Sequence, residues 1–245
     1  MNAIRFALPA RLLLVPAFVA TLARVSSAGA PVVLHDSDVA GASPAPTAFA
    51  CSLASGTLDP STSYGAGDGW NWIAWHIPQV PCGNCPAPGL AEARQVSFAT
   101  RAFTNCSIAA EVSIVAAAGT DCLMPDTTQV LYGPFSYPVA ITITIGEIHS
   151  IPLPDGWCLN RDAFVLIRFV GIDGCLTTKG SVALHRANTS CVSCDEWATA
   201  LNAYAAPVDL CTVFSSPIWI QLDTDCCSVT PTTRHSWGTV KTLYR

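Results

Sequence analysis

Ile108-Ala109-Ala110-Glu111-Val112-Ser113-Ile114 decides the fold. Ile108, Ala110, Val112 and Ile114 recur at every second position, and Glu111 and Ser113 sit between them. A period of two sends successive side chains to opposite faces of a strand, so one face is apolar and the other meets water. Ile141-Thr142-Ile143-Thr144-Ile145 alternates in the same way and predicts a second strand of this kind. Phe164 to Ile172 is apolar on both faces apart from Arg168, the pattern of a central strand covered on both sides. Ile218, Ile220 and Leu222 mark another strand, and Val182 and Leu184 a weaker one.

Turn chemistry separates these runs: Gly65-Ala66-Gly67-Asp68-Gly69, Pro86-Ala87-Pro88-Gly89, Pro154-Asp155-Gly156 and Asp173-Gly174. Proline presets φ, glycine permits positive φ, and aspartate bonds its own backbone. Short strands punctuated this way describe an all-β antiparallel sandwich of jelly-roll-like type. A βαβ fold would need a helix between successive strands, and none is signalled. One or two short helices are expected. One starts at the capping box Ser193/Glu196 and aligns Trp197, Leu201 and Tyr204. The other follows Ser236 and aligns Trp237, Val240, Lys241 and Tyr244.

The first thirty residues set the compartment. Arg5 and Arg11 precede an apolar run from Leu12 to Leu22, and Ala28-Gly29-Ala30 offers the small residues of a cleavage site. That run is shorter than the about 20 residues a membrane span needs, so residues 1–30 read as a cleaved secretory signal. No later stretch is apolar enough to span. Residues 31–47, rich in Ala, Ser and Pro, read as a spacer. The sandwich domain then runs over 48–230, and 231–245 forms a tail that packs on the domain or serves attachment.

Export brings the cysteines to an oxidising space. Twelve occur, all beyond the signal: Cys51, Cys82, Cys85, Cys106, Cys122, Cys158, Cys175, Cys191, Cys194, Cys211, Cys226 and Cys227. They are expected to pair as disulfides, with connectivity left open. The C-x-x-C pairs at 82/85 and 191/194 lie far apart for a zinc ribbon, and Pro86, Pro88 and Gly89 follow Cys85 where a redox motif would start a helix. If a strand continues through the neighbours Cys226 and Cys227, they point to opposite faces and take different partners.

Leu153-Pro154-Asp155-Gly156-Trp157-Cys158, the segment from Ile218 to Cys227, and Ser236-Trp237-Gly238-Thr239-Val240-Lys241-Thr242-Leu243-Tyr244-Arg245 resemble uncharacterised secreted bacterial proteins. The resemblance covers residues 90 to 245. It implies export and a sandwich fold and carries no activity.

Charge and motifs narrow the function. Seventeen acidic residues face twelve basic ones, and loss of Arg5, Arg11 and Arg24 with the signal brings the net charge to −8. Such a surface disfavours nucleic acid and anionic membranes. No G-x-S-x-G, H-E-x-x-H or P-loop occurs, and a glycosidase pair would have to draw on Glu92, Glu111, Glu147, Glu196 or turn aspartates. Asp36-Ser37-Asp38 and Asp223-Thr224-Asp225 read as solvated acids rather than calcium ligands, so neither metal nor cofactor is expected. Seven tryptophans stand at 70, 72, 75, 157, 197, 219 and 237. Trp70 and Trp72 should share a strand face opposite Trp75. With Ile218, Ile220 and Leu222 inward, Trp219, Gln221 and Asp223 face outward, and an indole among polar groups suits a sugar ring. The expected function is therefore a non-catalytic extracellular binding module for glycan or a surface protein, with Trp219, Gln221 and Asp223 as the ligand residues. The alternatives are an envelope or surface assembly protein without a small ligand, and a hydrolase on a sandwich scaffold.

Overall fold

A computed structural model describes residues 32–35, 49–65, 69–77, 85, 91–143, 146–177, 181–200 and 206–227. The expected signal peptide, the tail 231–245 with its short helix, and Cys82 lie outside these residues.

Among the described residues, thirteen strands form two antiparallel sheets. They are β1 (Val32–His35), β2 (Cys51–Ala54), β3 (Leu58–Gly65), β4 (Trp70–His76), β5 (Ala91–Arg101), β6 (Cys106–Ala118), β7 (Met124–Ile141), β8 (Glu147–Cys158), β9 (Ala163–Val170), β10 (Ala183–Ala187), β11 (Glu196–Ala200), β12 (Val208–Asp209) and β13 (Ile220–Cys226). Sheet A runs β1-β3-β10-β5-β13-β2, with β8 on the other edge of β5. Sheet B runs β12-β11-β4-β9-β6-β7. The inner faces meet in one core, where Phe98, Leu184 and Leu222 of sheet A share a cluster with Trp75, Val112 and Ile167 of sheet B. Phe98 and Phe169 touch edge to face across it, 5.8 Å apart. The chain is a disulfide-stapled β-sandwich.

The alternations read from sequence set these faces. Ile108, Ala110, Val112 and Ile114 are buried in the core, as are Ile218, Ile220 and Leu222. β9 lies between β4 and β6 with Arg168 exposed, the central position its composition implied.

Several local expectations are corrected. The strand expected over 141–145 is not continued past its first residue: β7 ends at Ile141, Thr142 and Ile143 begin a connection to β8, and residues 144–145 lie outside the described residues. Side chains hold its backbone there. Glu147 accepts from the Thr142 N–H (2.9 Å) and hydroxyl (3.0 Å), and Asn105 Oδ1 accepts from the Ile143 N–H (3.0 Å). Pro154-Asp155-Gly156 does not end a strand but lies in a bulge of β8, because Pro152 pairs with Gln95 and Trp157 with Ala93. The helix at Ser193 is also overturned. Ser193 Oγ donates to Asp209 Oδ2 (2.6 Å) instead of capping, Cys194 takes φ 73°, and Glu196–Ala200 pairs with β4 as a strand. Cross-strand packing outweighs the weak local helix signal. The spacer contributes Val32–His35 as an edge strand on β3. Trp70 and Trp72 part company: a register shift in the β4–β11 pairing puts Trp70 in the core with Trp75 and leaves Trp72 outside.

Five disulfides lie among the described residues: Cys85–Cys226, Cys106–Cys175, Cys122–Cys194, Cys158–Cys227 and Cys191–Cys211. Cys51 is also disulfide-bonded. Neither cysteine of the 191/194 pair bonds the other, and Cys226 and Cys227 take different partners, as opposite faces require. Loop size orders their contributions. Replacing Cys106 and Cys175 (separation 69) with Ser costs about 4 kcal/mol, and the Cys191/Cys211 pair (separation 20) about 3 kcal/mol. Denaturant midpoints of the two double variants check the order.

Candidate functional site

The three residues nominated from sequence stand on the outer face of sheet A, but they are not equally open. Trp219 immediately precedes β13 and is only 6% exposed. It packs with Ala99 of β5 and Ala187 of β10, with Leu58 and Ile148 against the cluster. The expected exposure of Trp219 is therefore corrected: two small alanines on adjacent strands leave room for the indole, and the chain's own strands cover it. Its backbone N–H donates to His185 O at 2.8 Å.

Gln221 and Asp223 belong to a polar ladder across four strands. Asp223 pairs in register with Gln95 of β5 and Ser52 of β2, and Gln221 with Ser97 and Ala54. Ser97 in turn faces Ser150 of β8, their hydroxyls 2.9 Å apart. The Asp223 carboxylate is the hub. Ser52 Oγ and Gln221 Nε2 donate to Oδ1, the amide at 2.7 Å, and Gln95 Nε2 donates to Oδ2 at 3.1 Å. Asp223 is buried beneath these partners, Gln95 and Gln221 are half-buried, and Ser52 and Ser150 are exposed. Beyond the ladder, Arg94 donates to Glu92 (3.1 Å) and forms an ion pair with Asp225 (3.2 Å). Asp223 and Asp225 thus have separate partners, and neither is a lone solvated acid.

This arrangement has a defined chemistry. With one N–H of each amide committed to Asp223, both amides keep a carbonyl acceptor and a second N–H. The serine hydroxyls donate and accept. A face that mixes fixed donors and acceptors matches a ligand carrying many hydroxyls. Sequence reading missed Ser52, Gln95, Ser97 and Ser150. The signal lay in Gln95-Val96-Ser97-Phe98, where polar residues alternate with two core residues, but only strand pairing sets them beside Gln221 and Asp223.

Three histidines, His76, His149 and His185, and the glutamates Glu92, Glu147 and Glu196 have structural partners. His149 Nε2 lies 2.7 Å from Thr100 Oγ1, and burial pushes its imidazole below the ordinary range, against the pull of Glu147. His185 Nε2 accepts from the Gly146 N–H at 3.0 Å, and His76 lies 3.8 Å from both Asp162 and Asp195. Glu147 holds the connection before β8, and Glu92 pairs with Arg94. Glu196 is fully buried, accepts the Ile218 N–H at 2.7 Å, and is held well above the usual carboxylate range by that burial.

No helix among the described residues is long and apolar enough to cross a membrane. No family model matches the chain. No curated protein matches it either. Among solved structures it is similar to the cysteine protease and lectin-like domains of Cwp84, a surface layer associated protein of Clostridium difficile. The TM-score is 0.43 at 9% identity, over 71% of this chain and 36% of that one. The chain therefore spans about a third of the length of the protein it matches.

Proposed function

We propose that this protein is an extracellular, non-catalytic binding module that holds a glycan on the polar outer face of sheet A. The observation that carries the reading is the Asp223 hub, which ties Gln95, Gln221 and Ser52 together on one sheet face beside Ser97 and Ser150. Polar groups held in advance lose little entropy on binding, which favours recognition of a hydroxyl-rich surface. Trp219 supports the end of this face from within and does not touch the ligand. Five disulfides and the amino-terminal signal pattern support an extracellular setting. The structural commitments of Glu92, Glu147, Glu196 and the three histidines support a binding role over hydrolysis.

A glycan array probed with the mature, oxidised chain tests the reading. Saturable binding to at least one oligosaccharide is expected. An array without any saturable signal withdraws it in favour of an assembly protein.

A further inference from the structure

The outer face of sheet B carries a feature that the polar ladder does not explain. Glu111 and Ser113 of β6 and Leu166 and Arg168 of β9 all point away from the core, because Val112, Ile114, Val165 and Ile167 fill the alternate positions. Glu111 pairs in register with Arg168, and Ser113 with Leu166. Edge strand β7 then rises over this floor. Between Val112/Phe135 and Ile114/Tyr132 it carries one residue more than β6, and further extra residues precede Val130. Gly133 makes the first bulge at φ 89°, and a side chain there would meet Val112 O at 2.8 Å, so only glycine fits. The bulges turn Pro134 and Val130 into a wall. The result is a trough of about 190 Å³ lined by Glu111, Ser113, Val130, Pro134, Leu166 and Arg168.

Its size and chemistry limit what it takes. Pockets for drug-sized ligands run to about 300–1,000 Å³, so this one suits a single residue of a polymer. The Arg168 guanidinium and Glu111 carboxylate are 4.0 Å apart, beyond hydrogen-bond contact, with 47% and 31% of their side chains exposed. A donor and an acceptor at that spacing, both partly open to solvent, can each reach one of two adjacent hydroxyls on a ring lying over the pair. One hydroxyl accepts from Arg168 and its neighbour donates to Glu111. Val130, Pro134 and Leu166 offer an apolar surface to the C–H face of the same ring. Glu111 repels an anionic ring and Arg168 a cationic one, so the pair together selects a neutral ring.

We propose that this trough is a second binding site, which takes one neutral sugar ring by a vicinal diol laid over Arg168 and Glu111 and bonded to both. It lies on the sheet opposite the polar ladder and does not depend on it. If both sites bind, the module bridges two glycan segments, and linked ligands gain avidity without new contacts.

Amide NMR of the oxidised chain, titrated with methyl α-glucoside, α-mannoside and α-galactoside at millimolar concentration, tests the proposal. At least one neutral glycoside should shift the amides of Glu111, Ser113, Leu166 and Arg168 saturably. Binding should weaken by about tenfold or more in both Glu111→Gln and Arg168→Met. These variants change the net charge in opposite directions, so a merely electrostatic effect would move affinity oppositely in the two. Both positions are partly exposed, and a melting curve confirms folding. Should either variant unfold, Val130→Phe, at a wall position 44% exposed, fills the trough and should give the same loss. Trough binding should persist in the Gln95→Ala/Gln221→Ala variant, which separates its failure from that of the ladder. No saturable shift with any of the three glycosides, binding that survives the substitutions, or preference for a methyl glucuronide would overturn the proposal.

Discussion

Replacing Trp219 with Ala lowers stability by about 3–5 kcal/mol, the cost of emptying a large buried aromatic site. The indole is 6% exposed between Ala99 and Ala187, with Leu58 and Ile148 beside it. Neither alanine can extend into the space left behind, so the cavity collapses poorly. For a domain of this size each kcal/mol moves Tm by roughly 2–4 °C, which makes the loss plain in a thermal scan. Trp219→Phe should recover part of it. An unchanged Tm in Trp219→Ala would mean the indole is not packed, and would restore it as a ligand platform.

Glu196→Gln should make the protein more stable at neutral pH and flatten its pH dependence. The carboxyl is buried between the sheets, Oε2 accepts the Ile218 N–H, and Oε1 is buried without a hydrogen-bond partner. Burial first, then the nearby carboxylates Asp195 and Asp209, favour the neutral acid in the folded state, and the bond from Ile218 only partly opposes them. In the unfolded chain the same group ionises above about pH 4.3. Above that pH the folded state binds the extra proton, so stability falls as pH rises until the folded carboxyl itself ionises. Gln keeps the acceptor and removes the titration. Its advantage should grow by up to about 1.4 kcal/mol for each pH unit in that window. Glu196→Ala should instead lose about 1–3 kcal/mol, because the Ile218 N–H is left unpaired. Urea melts between pH 4 and 7 check this, and a constant gap between Gln and wild type would contradict it.

The parts of the fold legible in sequence were those set by period. Ile108 to Ile114 and Ile218 to Leu222 alternate, and the alternation gave the inner face directly. What could not be read was set by pairing between distant strands. The register shift beside Trp72 moves that residue outside while Trp70 stays in the core, and no local pattern marks it. Glu196 begins a plausible helix by its spacing from Ser193, yet β4 and the Ile218 N–H claim it for a strand. Ile141 to Ile145 alternates as cleanly as any true strand, but Glu147 and Asn105 hold Thr142 and Ile143 in a connection beyond the end of β7. The candidate face was half legible. The period placed Gln221 and Asp223 outside, but it could not show that Gln95 and Ser52 would close over Asp223, or that alanines on two other strands would admit Trp219. The cysteine count implied oxidation, and only the folded chain shows which pairs form.

The central claim is that the outer face of sheet A binds glycan through its ordered polar side chains. Isothermal titration of the tightest array oligosaccharide into wild type and Gln95→Ala/Gln221→Ala tests it most directly. The prediction is an affinity about tenfold weaker or more in the double variant, about 1.4 kcal/mol, in a protein that stays folded at the titration temperature but melts several degrees lower, because the buried Asp223 carboxylate loses two of its three donors. Equal affinity in the two folded proteins would contradict the claim.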